Sequence, residues 1–153
     1  MLFVRRAGPE DIDEILRLER QAFRYDQLTH TAVRKHLVPG KKSSLTMVAL
    51  DPDVSEITLL GFILLLRPER SRKAVIHSYA VDPTAQGKGV GAALLTTGCE
   101  EAAKTHPIIV THVRVDSPHA HARYEKSGFR RIGEEAHYYG DGCDAYIYLK
   151  RYK

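Results

Sequence analysis

A chain of 153 residues, 43% hydrophobic and 27% charged, is long enough to bury one core without disulfide or metal staples, and it reads as a single domain over 1–153. Its two cysteines, Cys99 and Cys143, make no disulfide framework and fit a reducing compartment, so a cytoplasmic setting is expected. The net charge of +4 suits an anionic ligand, but the basic residues are scattered and lack the aromatic interleaving of a single-strand binder, which argues against nucleic acid. The greasiest run, Leu59–Leu66, falls far short of the ~20 residues that span a bilayer. The Met1–Arg6 stretch has no apolar core for a secretion signal, so no membrane association is expected.

Leu2–Arg6 alternates weakly and predicts a first strand. Gly8-Pro9-Glu10-Asp11 predicts a helix start, with Ile12, Ile15, Leu16 and Phe23 following at helical spacing. Arg24–Pro39 predicts a loop with a short helix around Ala32, Val33, His36 and Leu37, of the kind that lines a substrate entrance. Ser43–Leu50, Ile57–Leu66 and Lys73–Val81 predict three strands joined by short turns, most simply an antiparallel meander. A helix is expected from Gly89 to about Lys104, a β-branched strand over Ile108–Val115, and a short helix over Pro118–Ser127 with Gly128 as its C-cap. Phe129–Ile132 and Ala145–Leu149 predict the last strands, separated by a turn at Gly140-Asp141-Gly142. This order is a mixed α/β sheet with helices on its faces.

The segment from Val75 to Ala92 organises the chain. A strand ends at Asp82-Pro83, and a glycine-rich turn opens directly into a helix. Glycines at 87, 89 and 91 allow tight bending and close approach to a ligand, while the free N–H groups of the helix start favour an anion, so a phosphate site is expected there. Gly87-Lys88-Gly89-Val90-Gly91-Ala92 also satisfies the G-x-G-x-x-A of dinucleotide folds, with Asp116 where a ribose-binding acid belongs. Against that reading, Asp82–Gln86 separates the strand from the glycines, and too few strand units follow Asp116.

The alternative pattern is Gln86-Gly87-Lys88-Gly89-Val90-Gly91, preceded by Ala80-Val81-Asp82-Pro83, with Ala120-x-x-x-Tyr124-Glu-Lys-Ser-Gly-Phe129 further on. In these motifs and their order the chain resembles the GNAT superfamily of acetyl-CoA-dependent N-acetyltransferases, and most of all its ribosomal-protein and protein N-terminal acetyltransferases. The resemblance implies a mixed, mostly antiparallel central sheet with helices on both faces and a splayed parallel pair, here Ala74–Val81 and Ile108–Val115. It implies that Gln86, Gly87, Lys88, Gly89, Val90, Gly91 and Ala92 hold the pyrophosphate of coenzyme A. The main chain at Tyr79, Ala80 and Val81 would pair with the pantetheine arm.

The same resemblance makes Tyr124 the general acid and His112 the general base, the latter twelve residues before the motif tyrosine. His77 competes for the role of base, since it matches a strand histidine of arylalkylamine acetyltransferases, and strand alternation would put it on the face of Tyr79. Ser117 stands seven residues before Tyr124, where the family commonly has an asparagine contacting the cofactor; a hydroxyl donates a similar bond with shorter reach. Tyr138 and Tyr139, with Asp144-Ala145 after them, resemble the segment that holds an incoming peptide backbone, and Tyr25 is placed to help. His119, His121, His137 and Cys143 show no ligand spacing, so no metal is expected. The implied activity is direct acetyl transfer from acetyl-CoA to a primary amine, a peptide or protein N-terminus, by a monomer or homodimer. A small-molecule amine, a non-catalytic acyl-CoA-binding module and a basic nucleic-acid-binding domain are the alternatives.

Overall fold

The computed structural model describes residues 1–23, 30–38 and 40–153. Strands β1 (Phe3–Arg6), β2 (Ser44–Leu50), β3 (Gly61–Leu66), β4 (Lys73–Val81), β5 (Ile108–Arg114), β6 (Arg130–Glu135) and β7 (Ala145–Arg151) form one seven-stranded sheet in the order β1-β2-β3-β4-β5-β7-β6. Every neighbouring pair is antiparallel except β4 and β5. The helices are α1 (Ile12–Ala22), α2 (His30–His36), α3 (Val90–Ala103) and α4 (Pro118–Lys126). This is the mixed α/β architecture expected from the sequence, with the elements in the expected order. Among the described residues no helix is long and apolar enough to cross a membrane.

Alternation along the central strands builds two cores. On one face Leu45, Met47 and Ala49 of β2 and Ile63 and Leu65 of β3 meet Val90, Leu94, Leu95, Cys99 and Ala102 of α3. On the other, Val48, Leu50, Phe62 and Leu64 meet Ile12, Ile15 and Leu18 of α1 and Val33 of α2. Burial on both faces explains why β3 reads as a continuous apolar run.

Two strand boundaries differ from expectation by three residues or more. The third strand begins at Gly61, not Ile57. Residues 55–59 are held by side chains instead of a ladder: Ser55 Oγ accepts from the Thr58 amide at 3.0 Å, and Glu14 Oε1 accepts from the Leu59 amide at 2.9 Å. The sixth strand runs on to Glu135, past the expected Ile132. Gly128 caps α4 as expected, at φ 94°, with the Phe129 amide returning to Tyr124 O at 3.0 Å.

The fourth strand carries an irregularity that shapes the site. Leu64 pairs with Ser78 and Leu65 with Ile76, so His77 is an extra residue, a β-bulge. Before it Ala74 and Ile76 pack with α3; beyond it Tyr79 and Val81 do. The alternation expected to put His77 with Tyr79 is broken at His77 itself, whose ring instead lies 6.1 Å from that of His36 on α2.

Close packing makes Gly61 irreplaceable: a Cβ there would stand 2.8 Å from the Ala80 carbonyl oxygen and 2.8 Å from Leu94 Cδ1. Gly61→Ala should therefore destabilise the fold by about 1–3 kcal/mol, read as a drop in Tm by calorimetry; an unchanged Tm would contradict the register of β3 on β4. A pH effect follows from α2. Burial, together with His77, Lys41 and Lys35, holds the His36 imidazole below its ordinary pKa. The unfolded chain then takes up a proton near pH ~6.5 that the folded one resists, so stability is lost as pH falls through that value. His36→Gln should flatten this decline in urea unfolding between about pH 8 and pH 5, and an identical slope would show that His36 does not contribute.

Candidate active site

The parallel pair β4 and β5 is laddered only from Lys73 and Ile108 to Ile76 and Thr111. From the bulge onward the strands diverge, and the gap opens into a cleft of ≈ 1010 Å³ lined by Ile76–Tyr79 of β4, Thr111–Arg114 of β5, Tyr124 of α4 and Ser117 just before it. The splay lies in the strand pair where the resemblance put it. Among the described residues the β5-facing main chain of residues 77–81 has no strand partner, while the other edge pairs Tyr79 with Ile63, Ala80 with Phe62 and Val81 with Gly61.

At the end of β4 the chain is locked into a turn. Asp82 Oδ1 accepts from the Thr84 amide at 2.9 Å and from its hydroxyl at 2.8 Å, and Asp82 Oδ2 accepts from Arg17 Nη1 at 2.7 Å. Arg17 also donates to the Leu59 carbonyl at 2.8 Å and pairs with Glu14, which ties α1 to the turn. Arg17 and the Thr84 bonds hold the Asp82 carboxyl below the usual range against the opposing effect of burial. Gln86 follows with extended backbone, and Gly87 and Gly89 both take φ 80°, a left-handed conformation that other side chains adopt only with strain. A Cβ at either glycine would meet nothing within 4 Å, so the space above the turn is open.

Gly89 is the N-cap of α3 and supplies no capping side chain, and the Ala93 amide is the first to return to Gly89 O, at 3.0 Å. The amides of Val90, Gly91 and Ala92 thus form an uncapped helix start beside the exposed Lys88, and the residues present fit a pyrophosphate. Gly91 is needed for close approach. The Tyr79 hydroxyl donates to its carbonyl oxygen, and a Cβ on Gly91 would come within 3.0 Å of that hydroxyl. Burial raises the Tyr79 phenol to about 12, with Arg123, whose guanidinium lies 5.5 Å from the ring centroid, opposing.

Tyr124 is buried on α4 among rings: Tyr79 at 6.3 Å, Phe129 at 5.3 Å and Tyr148 at 6.1 Å. Burial pushes its phenol far above the ordinary value, against the opposing effect of the neighbouring Thr111 side chain. It remains a protonated donor at any physiological pH. His112 lies on β5, with Nε2 2.9 Å from Glu135 Oε2 and its ring stacked flat on Tyr138, centroids 4.0 Å apart and planes 4° apart. Tyr138 thus stands beside His112 at the cleft. Tyr139 lies under the Arg114 guanidinium at 4.9 Å, and Arg114 bridges Asp116 at 3.0 Å and Asp141 at 2.5 Å, which fastens the loop between β6 and β7 to the end of β5.

Ser117 lines the cleft as the N-cap of α4, and its side chain makes no capping bond. His77 lines the cleft too, but at the bulge; its neighbours strip enough water from the partly exposed ring to lower its pKa. Tyr25 lies outside the described residues. Sequence reasoning overlooked Glu19, a buried carboxylate that lines the cleft and accepts from the Ser78 hydroxyl. Its signal was available, because Glu19 falls four residues after Ile15 and four before Phe23, on the apolar stripe of α1. Thr111, Arg123 and Glu135 were also overlooked; their roles depend on strand and helix placement that spacing along the chain does not show.

Comparison with known proteins agrees with this geometry. The family model described as "Acetyltransferase (GNAT) family" matches residues 12–129. An N-alpha-acetyltransferase of Sulfolobus acidocaldarius is 30% identical over 151 residues, 94% of this chain and 89% of that protein. The chain spans 38% and 57% of the length of two curated mycobacterial relatives, the second being the RimI N-alpha-acetyltransferase of Mycobacterium tuberculosis, 35% identical over 92 residues, or 58% of this chain. The solved ribosomal-protein-S18-alanine N-acetyltransferase of Escherichia coli shares the fold with a TM-score of 0.83 at 22% identity, over 99% of this chain and 94% of that one. The splayed strand pair, the glycine turn and the matched residues agree: the chain belongs to the GNAT acetyltransferase family.

Proposed function

We propose that this protein is an acetyl-CoA-dependent N-acetyltransferase acting on the α-amine of a peptide or protein N-terminus, with Tyr124 as general acid and His112 as general base. The observation that carries the reading is the cleft between β4 and β5, which has a buried, protonated phenol on α4 and an imidazole on β5 among its lining residues. Acetyl-CoA would supply the acetyl group as a thioester, whose carbonyl carbon bonds to the amine as its bond to sulfur breaks.

The chain's own residues do the rest. Amides at the start of α3, with Gln86, Gly87, Lys88 and Gly89, would grip the pyrophosphate, and the unladdered edge at Tyr79, Ala80 and Val81 would receive an extended amide arm. Ser117, which lines the cleft, would donate to it. His112 takes one proton from the substrate ammonium, which leaves a neutral amine as nucleophile. Tyr124 donates its phenolic proton to the departing sulfur and recovers one from the newly bonded nitrogen. The imidazolium returns its proton to water, so one proton is released per turnover. A peptide α-amine with pKa near ~8 asks less of one imidazole than a lysine amine near ~10.4. Tyr138 and Tyr139, held at the cleft by His112 and Arg114, would contact the peptide backbone.

The deciding experiment is thiol release from acetyl-CoA over a panel of N-terminal peptides, lysine peptides and polyamines. Turnover with free α-amines is expected; turnover with polyamines alone would overturn the acceptor assignment, and coenzyme A binding without any turnover would make the protein a binding module. Tyr124→Phe should lower kcat by about 10²-fold while preserving the thermal shift produced by coenzyme A, and wild-type kcat would remove Tyr124 from the mechanism. His112→Ala should lose a comparable factor and His77→Ala far less; the reverse order would transfer the role of base to His77.

A further inference from the structure

We propose that Glu135 is a positioning residue for the base: it holds His112 in the Nε2–H tautomer and leaves Nδ1 as the atom that takes the proton from the amine. The inference rests on His112 acting as the base. His112 Nε2 lies 2.9 Å from Glu135 Oε2. An ionised carboxylate only accepts, so the shared hydrogen belongs to the imidazole, and a neutral imidazole with hydrogen on Nε2 carries its lone pair on Nδ1. His112 lines the cleft and Glu135 does not, so the bond from Nε2 runs to a residue outside the cleft lining. The Tyr138 ring, stacked at 4.0 Å and 4°, covers one face of the imidazole. A carboxylate in the ring plane and a phenol on its face restrain two different rotations.

The contact depends on the order of the sheet. Glu135 is on β6 and His112 on β5, with β7 between them. Opposite Glu135, β7 carries Ala145, and opposite His112 it carries Ile147. A methyl group at Ala145 leaves the carboxylate room to reach across β7. In the proton transfer an ammonium N–H bond breaks and an Nδ1–H bond forms; the resulting imidazolium keeps its Nε2–H on Glu135, whose negative charge stabilises the positive charge just created. Glu135 itself neither gains nor loses a proton.

Glu135 is half exposed on an edge strand, so Glu135→Gln and Glu135→Ala should both fold. With ¹⁵N-histidine labelling at pH ~8.5, where ordinary imidazoles are neutral, long-range proton–nitrogen spectra of the wild-type protein should show His112 as the Nε2–H tautomer. The signal is assigned by its loss in His112→Ala. Both Glu135 variants should show mixed tautomers and a kcat lowered about tenfold, with peptide KM and the coenzyme A thermal shift unchanged. An unchanged tautomer, or a changed tautomer with wild-type kcat, would overturn the positioning role while leaving His112 as base. Full activity of His112→Ala would instead remove the base itself, and the role of Glu135 with it.

Discussion

The extra residue at His77 is the constraint on which the site depends. A bulge bends and twists its strand, and here the bend begins where the ladder between β4 and β5 stops, at Ile76 and Thr111. Backbone groups left unmade in a buried strand cost about 1–3 kcal/mol each, so the β5-facing edge beyond the bulge must be satisfied by water or by an extended ligand. The bulge also resets which residues face which core. Tyr79 turns toward α3 and reaches Gly91, while Ser78 turns toward α1 and reaches Glu19. Without the insertion, alternation from Ile76 would place Ser78 toward α3, and the link between β4 and the helix start would be lost.

Two tethers then keep the slot from closing. At its far end, Arg17 joins Glu14, Asp82 and the Leu59 carbonyl, fixing α1, the entry to β3 and the turn after β4 as one unit. Exposed ion pairs contribute little, but Arg17 and Asp82 are largely covered and Arg17 is also bonded to backbone, so its geometry is determined from several directions. Nearer the centre, the Tyr79 hydroxyl on the Gly91 carbonyl ties strand to helix start, and a Cβ at 91 would crowd that hydroxyl at 3.0 Å. The direction of the free amides of α3 therefore follows from the same displacement that opened the cleft.

Much of this was legible in the sequence because local chemistry dictated it. Left-handed glycines at 87 and 89, the C-cap at Gly128 and the apolar stripes of α1 and α3 follow from propensity and period, and the structure carries them where the residues predict. The side of the strand on which His77 falls was not legible. A bulge adds one residue to one strand without any composition that marks it, and period-two reasoning inverts every assignment beyond it. The start of β3 failed for a related reason: Ile57 and Leu59 have strand-like side chains, but Glu14 and Arg17, more than forty residues earlier in the chain, take the backbone bonds of Leu59. Glu135 could not be paired with His112 from spacing, because their contact crosses an intervening strand that comes later in the chain than either.

The bulged strand makes the slot, and the regular strand opposite separates the chemistry. Strand β5 stays in register with β7 along its whole length, so Thr111 and His112 point to opposite faces. Thr111 neighbours the Tyr124 phenol within a cluster of rings, where burial keeps the proton in place, whereas His112 reaches Tyr138 and Glu135 and keeps about a quarter of its side chain, 23%, open to solvent. In the proposed mechanism the acid must hold its proton until the leaving group needs it, and the base must return its proton to water after each turnover. Adjacent positions on one strand meet these opposed requirements because one faces the core and the other faces water. A bulge in β5 at this point would put both groups on one face and abolish the difference in environment on which the two proposed roles depend.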